Sequence, residues 1–313
     1  MNPNVTDVEE PTTDLPLHGW YVPGPSDFQV DPQHINSQST ESLHYWALVL
    51  DLCDESVRVC AADQGGRDVF ALGSVIVKSS HLHKAVDGGY DEVDYSYADT
   101  NEEQAIALAR GVLKDVRVPE IYFAGKVPTN PHCPLVSGVR HLQLLQINGR
   151  QVLIRERLPG TVLAAAYPYL FKPQKENFKK QARQILSLLH PIKPASNHQA
   201  HNHVVPDPDI LTNGRINSIE AGLLFSDASA ESDVGFTHND LNISNIIVDG
   251  DRIVGLVDWE VAGFFSWKAA GEVHGRLRTP QRRFFASSGL SEETLREITW
   301  WNDIYADGTP ESM

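Results

Sequence analysis

The chain has 313 residues, enough for two modest domains with cores of their own, and its 41% hydrophobic and 21% charged content excludes disordered, collagen-like and coiled-coil classes. A formal charge of −15 disfavours nucleic acid as a partner, because a phosphate backbone is held mainly by Lys and Arg. The same acidity favours solubility and leans a small-molecule partner towards cations.

Met1 to Asp14 is acidic and rich in Pro and Thr, without the basic start and apolar core of a secretory signal. Residues 1–43 read as an extended or loosely packed arm. The apolar run from Trp46 to Leu52 is too short to span a bilayer, so no membrane partner is expected. Cys53, Cys60 and Cys133 form no C-x-x-C pair, which points away from disulfide frameworks and zinc ribbons and towards a reducing, cytoplasmic compartment.

From His44 to Leu158 the pattern is strand-rich. Ser56 to Ala61 alternates, and Ala62 to Asp68, with Gly65 and Gly66, supplies a turn. Val69 to Val77 reads as one buried strand ending at Lys78. Asn101 to Leu113 reads as a helix with Ala105, Leu108, Ala109 and Val112 on one face and Asn101 as its N-cap. Val118 to Ala124 and Val152 to Glu156 are two further strands. Pro159-Gly160 then breaks the pattern and divides a first lobe, 44–158, from a second, 159–313.

Beyond the break, Lys175 to His190 is an amphipathic helix with Phe178, Ala182, Ile185, Leu186 and Leu189 on its apolar stripe. The loop that follows carries His198, His201 and His203, but no local carboxylate or Cys completes a metal site, so a solvated loop is expected. Ile216 to Leu224 and Ser291 to Tyr305 read as helices. Trp259, Trp267, Trp300 and Trp301 are expected mostly in the core, with a cation–π pocket for an amine as the other use.

The densest signal is Thr237 to Glu260, THNDLNISNIIVDGDRIVGLVDWE. Two apolar runs, Ile246 to Val248 and Ile253 to Val257, flank the turn-forming Asp249-Gly250-Asp251-Arg252. A hairpin centred on Asp251 and Arg252 makes Asn245 and Asp258 cross-strand neighbours, with Asp240 in the loop leading in. An amide oxygen beside a carboxylate suits Mg²⁺, and a nearby unliganded carboxylate can accept a proton from an attacking hydroxyl.

The H-x-D-x-x-x-x-N run of His238, Asp240 and Asn245, followed by Asp258-Trp259-Glu260, resembles the core of the aminoglycoside phosphotransferase and choline kinase-like family. The resemblance implies an α+β, bilobal protein-kinase-like fold, with a strand-rich first lobe and a mainly helical second. It implies Asp240 as catalytic base, Asn245 and Asp258 as Mg²⁺ ligands, and His238 as a residue shaping the loop. Val75-Ile76-Val77-Lys78 resembles the strand whose lysine contacts the ATP phosphates. Its carboxylate partner would be Glu102 or Glu103, with Glu102 preferred. Val152 to Leu163 resembles the hinge, where Glu156, Arg157 and Leu158 would supply backbone groups to adenine.

The implied activity is transfer of the γ-phosphoryl group of ATP, with Mg²⁺, to a hydroxyl of an aminoglycoside-, choline- or amino-alcohol-like acceptor. The sequence departs from the pattern in lacking G-x-G-x-x-G, D-F-G and A-P-E, which argues against a protein kinase. Without G-x-x-x-x-G-K-[ST] it is not a P-loop enzyme. A catalytically silent nucleotide-sensing or protein-binding module stands as the alternative, and a His238/Asp240 metal phosphohydrolase as a weaker one.

Overall fold

The computed structural model describes residues 20–62, 66–83, 93–128, 149–195, 201–225 and 233–306. Its first part is an antiparallel five-stranded sheet in the order β1-β2-β3-β5-β4. The strands are β1 (Arg58–Cys60), β2 (Asp68–Leu72), β3 (Val75–Ser79), β4 (Ile121–Val127) and β5 (Arg150–Glu156). Helix α1 (Thr40–Asp51) covers one face and α2 (Ser96–Val112) packs on the other.

Strand periodicity sorts the side chains between the two faces. Val75, Val77, Val152 and Ile154 join Trp46 and Leu50 of α1 in one core. Leu153, between its two neighbours, turns the opposite way and joins Ala105, Ile106 and Ala109 of α2. That second core continues unbroken into Phe178, Leu186, Phe236 and Trp259.

After Glu156 the chain crosses to a second region built from helices and short strands. Strands β6 (Thr161–Val162), β9 (Ile246–Asp249) and β10 (Arg252–Leu256) form one three-stranded sheet in the order β10-β9-β6. Strands β7 (Asn202–His203), β8 (Val234–Thr237) and β11 (Gly263–Ser266) form another in the order β7-β11-β8. The helices are α3 (Leu163–Ala166), α4 (Lys172–Leu189), α5 (Ser218–Leu224), α6 (Trp267–Val273) and α7 (Glu292–Ile298), with a π-type turn over His274–Arg278. The fold is α+β and two-lobed.

Four expectations are corrected. The stretch from Val69 to Val77 is two strands, because the chain reverses at Gly73; its φ of +52° and the Phe28 backbone nitrogen, 2.3 Å from where a Cβ would stand, require glycine there. Asn101 is not an N-cap: the helix begins five residues earlier at Ser96, and the Asn101 side chain is buried within it. Residues 20–43 are not a loose arm. Tyr21 and His34 are buried, Phe28 packs against the α1 core, and the expected break at residue 43 falls inside α1. Finally, the helix expected from Ser291 ends at Ile298, and turns carry Trp301 and Tyr305 into the core.

Candidate active site

A cleft of about 610 Å³ lies between the two regions. On β3, Val75 and Val77 are spent on the α1 core, so Ile76 and Lys78 point into the cleft. The Lys78 ammonium lies 3.1 Å from Glu102 Oε2, 2.5 Å from Asp258 Oδ1 and 3.9 Å from Glu260 Oε2. Arg155 Nε stands 3.8 Å from the other Glu102 oxygen. Glu102 is fully buried behind Lys78, whereas Glu103, one residue on around the same helix, is exposed.

Burial alone would push the Lys78 pKa down, but Asp258, Glu102 and Glu260 overcome it and hold the ammonium above its ordinary value. Burial likewise would raise Asp258, yet the charge and hydrogen bond of Lys78, helped by Arg155, keep its carboxyl below the usual range. One oxygen each from Glu102, Asp258 and Glu260 lies within 4.8 Å of the others, with Lys78 as their shared counter-cation.

The hairpin forms one register away from the expected one. Arg252 faces Asp249, so the turn centres on Gly250 and Asp251, and an irregularity between Ile253 and Gly255 shifts the pairing further along. Asn245 therefore accepts a 3.0 Å bond from the Val257 N–H, and Asp258 follows with a left-handed φ of +69°. That strained backbone turns Asp258 towards Lys78, and the next residue anchors it. Trp259 is fully buried, stacked on Phe236 with ring centroids 6.0 Å apart and tilted 42° against His238 at 4.3 Å.

His238 Nε2 bonds the Val257 carbonyl at 3.0 Å, and burial lowers its pKa to about 4. A neutral, fully buried imidazole in that bond ties the loop to the end of the hairpin. It does not face the cleft.

Asp240 is held from several sides. Asn245 Nδ2 donates to its backbone carbonyl and to Oδ2, each at 2.9 Å, and Asn242 Nδ2 donates to Oδ1 at 2.9 Å. Arg278 Nε lies 3.2 Å from Oδ1. Burial pushes the Asp240 pKa up; Arg278 opposes this, Asp258 adds to it, and the result is about 7. Arg278, at the end of the π-type turn, also donates to the Asn239 carbonyl at 3.2 Å and to buried Glu220. Asn239 itself has a φ of +59°.

At the hinge, Glu156 turns its carboxylate to Arg117 and its N–H donates to the Glu120 carbonyl at 2.8 Å. The Arg157 N–H donates to the Ser74 carbonyl at 2.9 Å. Among the described residues no hydrogen bond reaches the backbone of Leu158, which lines the cleft. Thus Lys78, Arg157, Leu158, Asp240, Asn245 and Asp258 share the lining, Glu102 stands behind it, and Glu156 lies outside it.

The turn expected to cover phosphates falls between β1 and β2, whose Cys60 and Val69 line the cleft; residues 63–65, with Gly65, lie outside the described residues. His198 and Cys133 also lie outside them. His203 is buried against the edges of Phe225 and Phe265, so it is a packed side chain and not the solvated one expected. None of the four tryptophans lines the cleft.

Four residues of the network were not foreseen. Arg278, Arg155, Glu260 and Arg67 reach the site by tertiary contact. Arg67 pairs with Asp99 at 2.6 Å and with Glu260 at 3.3 Å. Asn101, misread as a cap, donates to the Glu260 and Ala262 carbonyls at 3.0 and 2.9 Å and accepts from the Val205 N–H at 2.7 Å. It pins α2, and with it Glu102, to the turn after Asp258. Of these, only Glu260 carried a signal in the sequence, through its place in Asp-Trp-Glu.

A two-lobed fold with a buried Lys–Glu pair facing an Asp/Asn/Asp cluster across a cleft is the arrangement of a kinase-like phosphotransferase. The family model described as "Phosphotransferase enzyme family" (APH) matches residues 101–264, just over half of the chain, and the chain belongs to this family. No curated protein matches it. Similar solved structures include ADP-bound aminoglycoside phosphotransferase APH(2'')-Ib, at 12% identity over 86% of this chain and 83% of that one, with a TM-score of 0.46. Another is APH(3'')-Id from Streptomyces rimosus, at 14% identity over 86% and 99%, TM-score 0.41. A third is macrolide 2'-phosphotransferase MphH from Brachybacterium faecium, at 11% identity over 86% and 84%, TM-score 0.41. Among the described residues no helix is long and apolar enough to cross a membrane.

Proposed function

We propose that the protein transfers the γ-phosphoryl group of ATP to a hydroxyl of a small, preferably cationic acceptor. The observation that carries this reading is the double pairing of Lys78 with Glu102 and Asp258 in a cleft that also holds Asp240 and Asn245. Lys78 would engage the phosphates, with Glu102 fixing its position. The Leu158 backbone would meet the edge of the base. Asp240 would accept the proton of the acceptor hydroxyl as its oxygen bonds to the γ-phosphorus and the bond to the leaving ADP oxygen breaks. The lobes, divided near Pro159, would bring nucleotide and acceptor in from opposite walls.

Mg²⁺ fits the residues present. The Asn245 amide nitrogen is committed to Asp240, which orients its oxygen, and among the described residues that oxygen accepts no hydrogen bond. Asp258 gives Oδ1 to Lys78 and keeps Oδ2. Asn245 and Asp258 would hold the ion, which would offset phosphate charge as it does in such transfers generally. The acidity of the chain, −15 overall, supports a cationic acceptor.

The test is ADP production from ATP and Mg²⁺ across a panel of aminoglycosides, choline, amino alcohols and sugars. Acceptor-dependent turnover that falls at least about 100-fold in Asp240→Asn is expected. No turnover with any acceptor, combined with nucleotide-independent capture of a protein, would favour a silent module instead.

A further inference from the structure

We propose that Tyr21, from the segment ahead of the first helix, forms a wall of the nucleotide-base pocket and contributes to binding the base there. The inference rests on the reading that the cleft takes ATP.

Tyr21 is fixed to the hinge by its backbone. Its N–H donates to the Gly160 carbonyl and the Gly160 N–H donates to its carbonyl, both at 2.9 Å. Gly160 must itself be glycine. Its φ is +118°, and a Cβ there would stand 2.7 Å from the Val248 carbonyl. The side chain is fixed as firmly. The Tyr21 hydroxyl donates to Asp27 at 3.0 Å, and Asp27 accepts from the Gly24 N–H at 2.9 Å. The Arg157 guanidinium lies over the Tyr21 ring, 4.1 Å from its centroid. Further along, Phe28 accepts from the Ser74 N–H at 3.1 Å and from its hydroxyl at 2.6 Å, which straps the segment across the β2–β3 turn.

The result is a firmly held aromatic side chain, 6% exposed, paired with Gly160 two residues beyond Leu158 and in the lining of the same cleft. The other walls at this end are Ile76, Leu158, Val162, Ile247 and Val257. Mostly apolar walls that include an aromatic side chain, with the Arg157 guanidinium over one side of its ring, suit a flat heteroaromatic base, because any base offers a π-face and a held aromatic side chain has little entropy to lose. The polar, charged end of the cleft, with Lys78 and Asp258, is where phosphates belong. Tyr21 therefore acts on the base and not on the phosphates, which makes its contribution separable.

Calorimetry on the full chain should compare Mg-ATP with Mg-tripolyphosphate, which has phosphates and no base. Tyr21→Ala is expected to weaken Mg-ATP roughly tenfold and leave tripolyphosphate unchanged, and Tyr21→Phe to bind Mg-ATP as wild type does. Equal ATP affinity in Tyr21→Ala, or equal losses for both ligands, would overturn the proposal. Amide exchange on the wild-type chain decides the matter even where the Ala variant does not fold. Exchange over residues 20–28 should slow with ATP and not with tripolyphosphate, and exchange indifferent to ATP would overturn it. A wild-type chain that binds no ATP would instead remove the nucleotide reading itself.

Discussion

Asp258 and Asp240 face the same cleft and are pushed in opposite directions. Asp258 lies 2.5 Å from Lys78, and that contact outweighs its burial and keeps it ionised. Asp240 has its cation at 3.2 Å, and Arg278 is shared with Glu220, so burial prevails and its pKa climbs to about 7. One carboxylate is thereby built to stay charged beside phosphates, and the other to take up a proton readily. Desolvation raises both, and the geometry of the neighbouring cation decides.

Substitutions can break this contrast. The largest effect is expected from Asp240→Asn, which should lower turnover by about 10²–10⁴-fold and spare nucleotide affinity. Turnover unchanged in that variant would remove Asp240 from the chemistry. Lys78→Met comes next. It leaves Glu102, fully buried, without its cation, and should cost about 3–5 kcal/mol in urea unfolding besides abolishing activity. A loss below about 1 kcal/mol would mean that Arg155 alone satisfies Glu102. Arg278→Met should lower kcat roughly 10- to 100-fold with little change in the KM for ATP, since Arg278 orients Asp240 without touching the Lys78 side. A raised KM with unchanged kcat would contradict that division.

How much of this was legible depends on how far apart the partners stand in the chain. Asp240, Asn245 and Asp258 lie within one hairpin, and the turn chemistry of Asp249-Gly250 declares it, so their convergence could be read directly. The register could not, because nothing in Ile253-Val254-Gly255 announces the shift in pairing. Lys78 was visible as the end of a β-branched strand. Arg278, 38 residues after Asp240, has no local pattern to mark it, and a π-type turn is not predictable from periodicity. Asn101 was misread because Asn near a helix start usually caps it, whereas here its amide is spent on tertiary carbonyls. Tyr21, within Trp20-Tyr21-Val22, and Phe28 stand in a stretch of Pro, Gly, Ser and Asp whose few apolar residues show neither helical nor strand period. Their packing is decided wholly by the hinge and the Gly73 turn.

The smallest expected effect extends the same rule to a histidine. Burial, with Arg215 and Arg278 nearby, lowers the His203 pKa to about 3. The folded protein thus holds it neutral while the unfolded chain protonates it near pH 6.5, so its stabilising contribution is whole above pH 6.5 and is lost as pH falls below that. Unfolding free energy should drop by up to about 1.4 kcal/mol per pH unit from this residue between pH 6 and 4, and His203→Phe should flatten the slope. An unchanged slope would place the acid sensitivity elsewhere.

The most direct test of the contrast between the two aspartates is Mg-ATP calorimetry on the wild type, Asp258→Asn and Asp240→Asn. Magnesium-dependent binding that is lost in Asp258→Asn and retained in Asp240→Asn is the predicted result. Equal binding by both variants, or loss in Asp240→Asn alone, would contradict it.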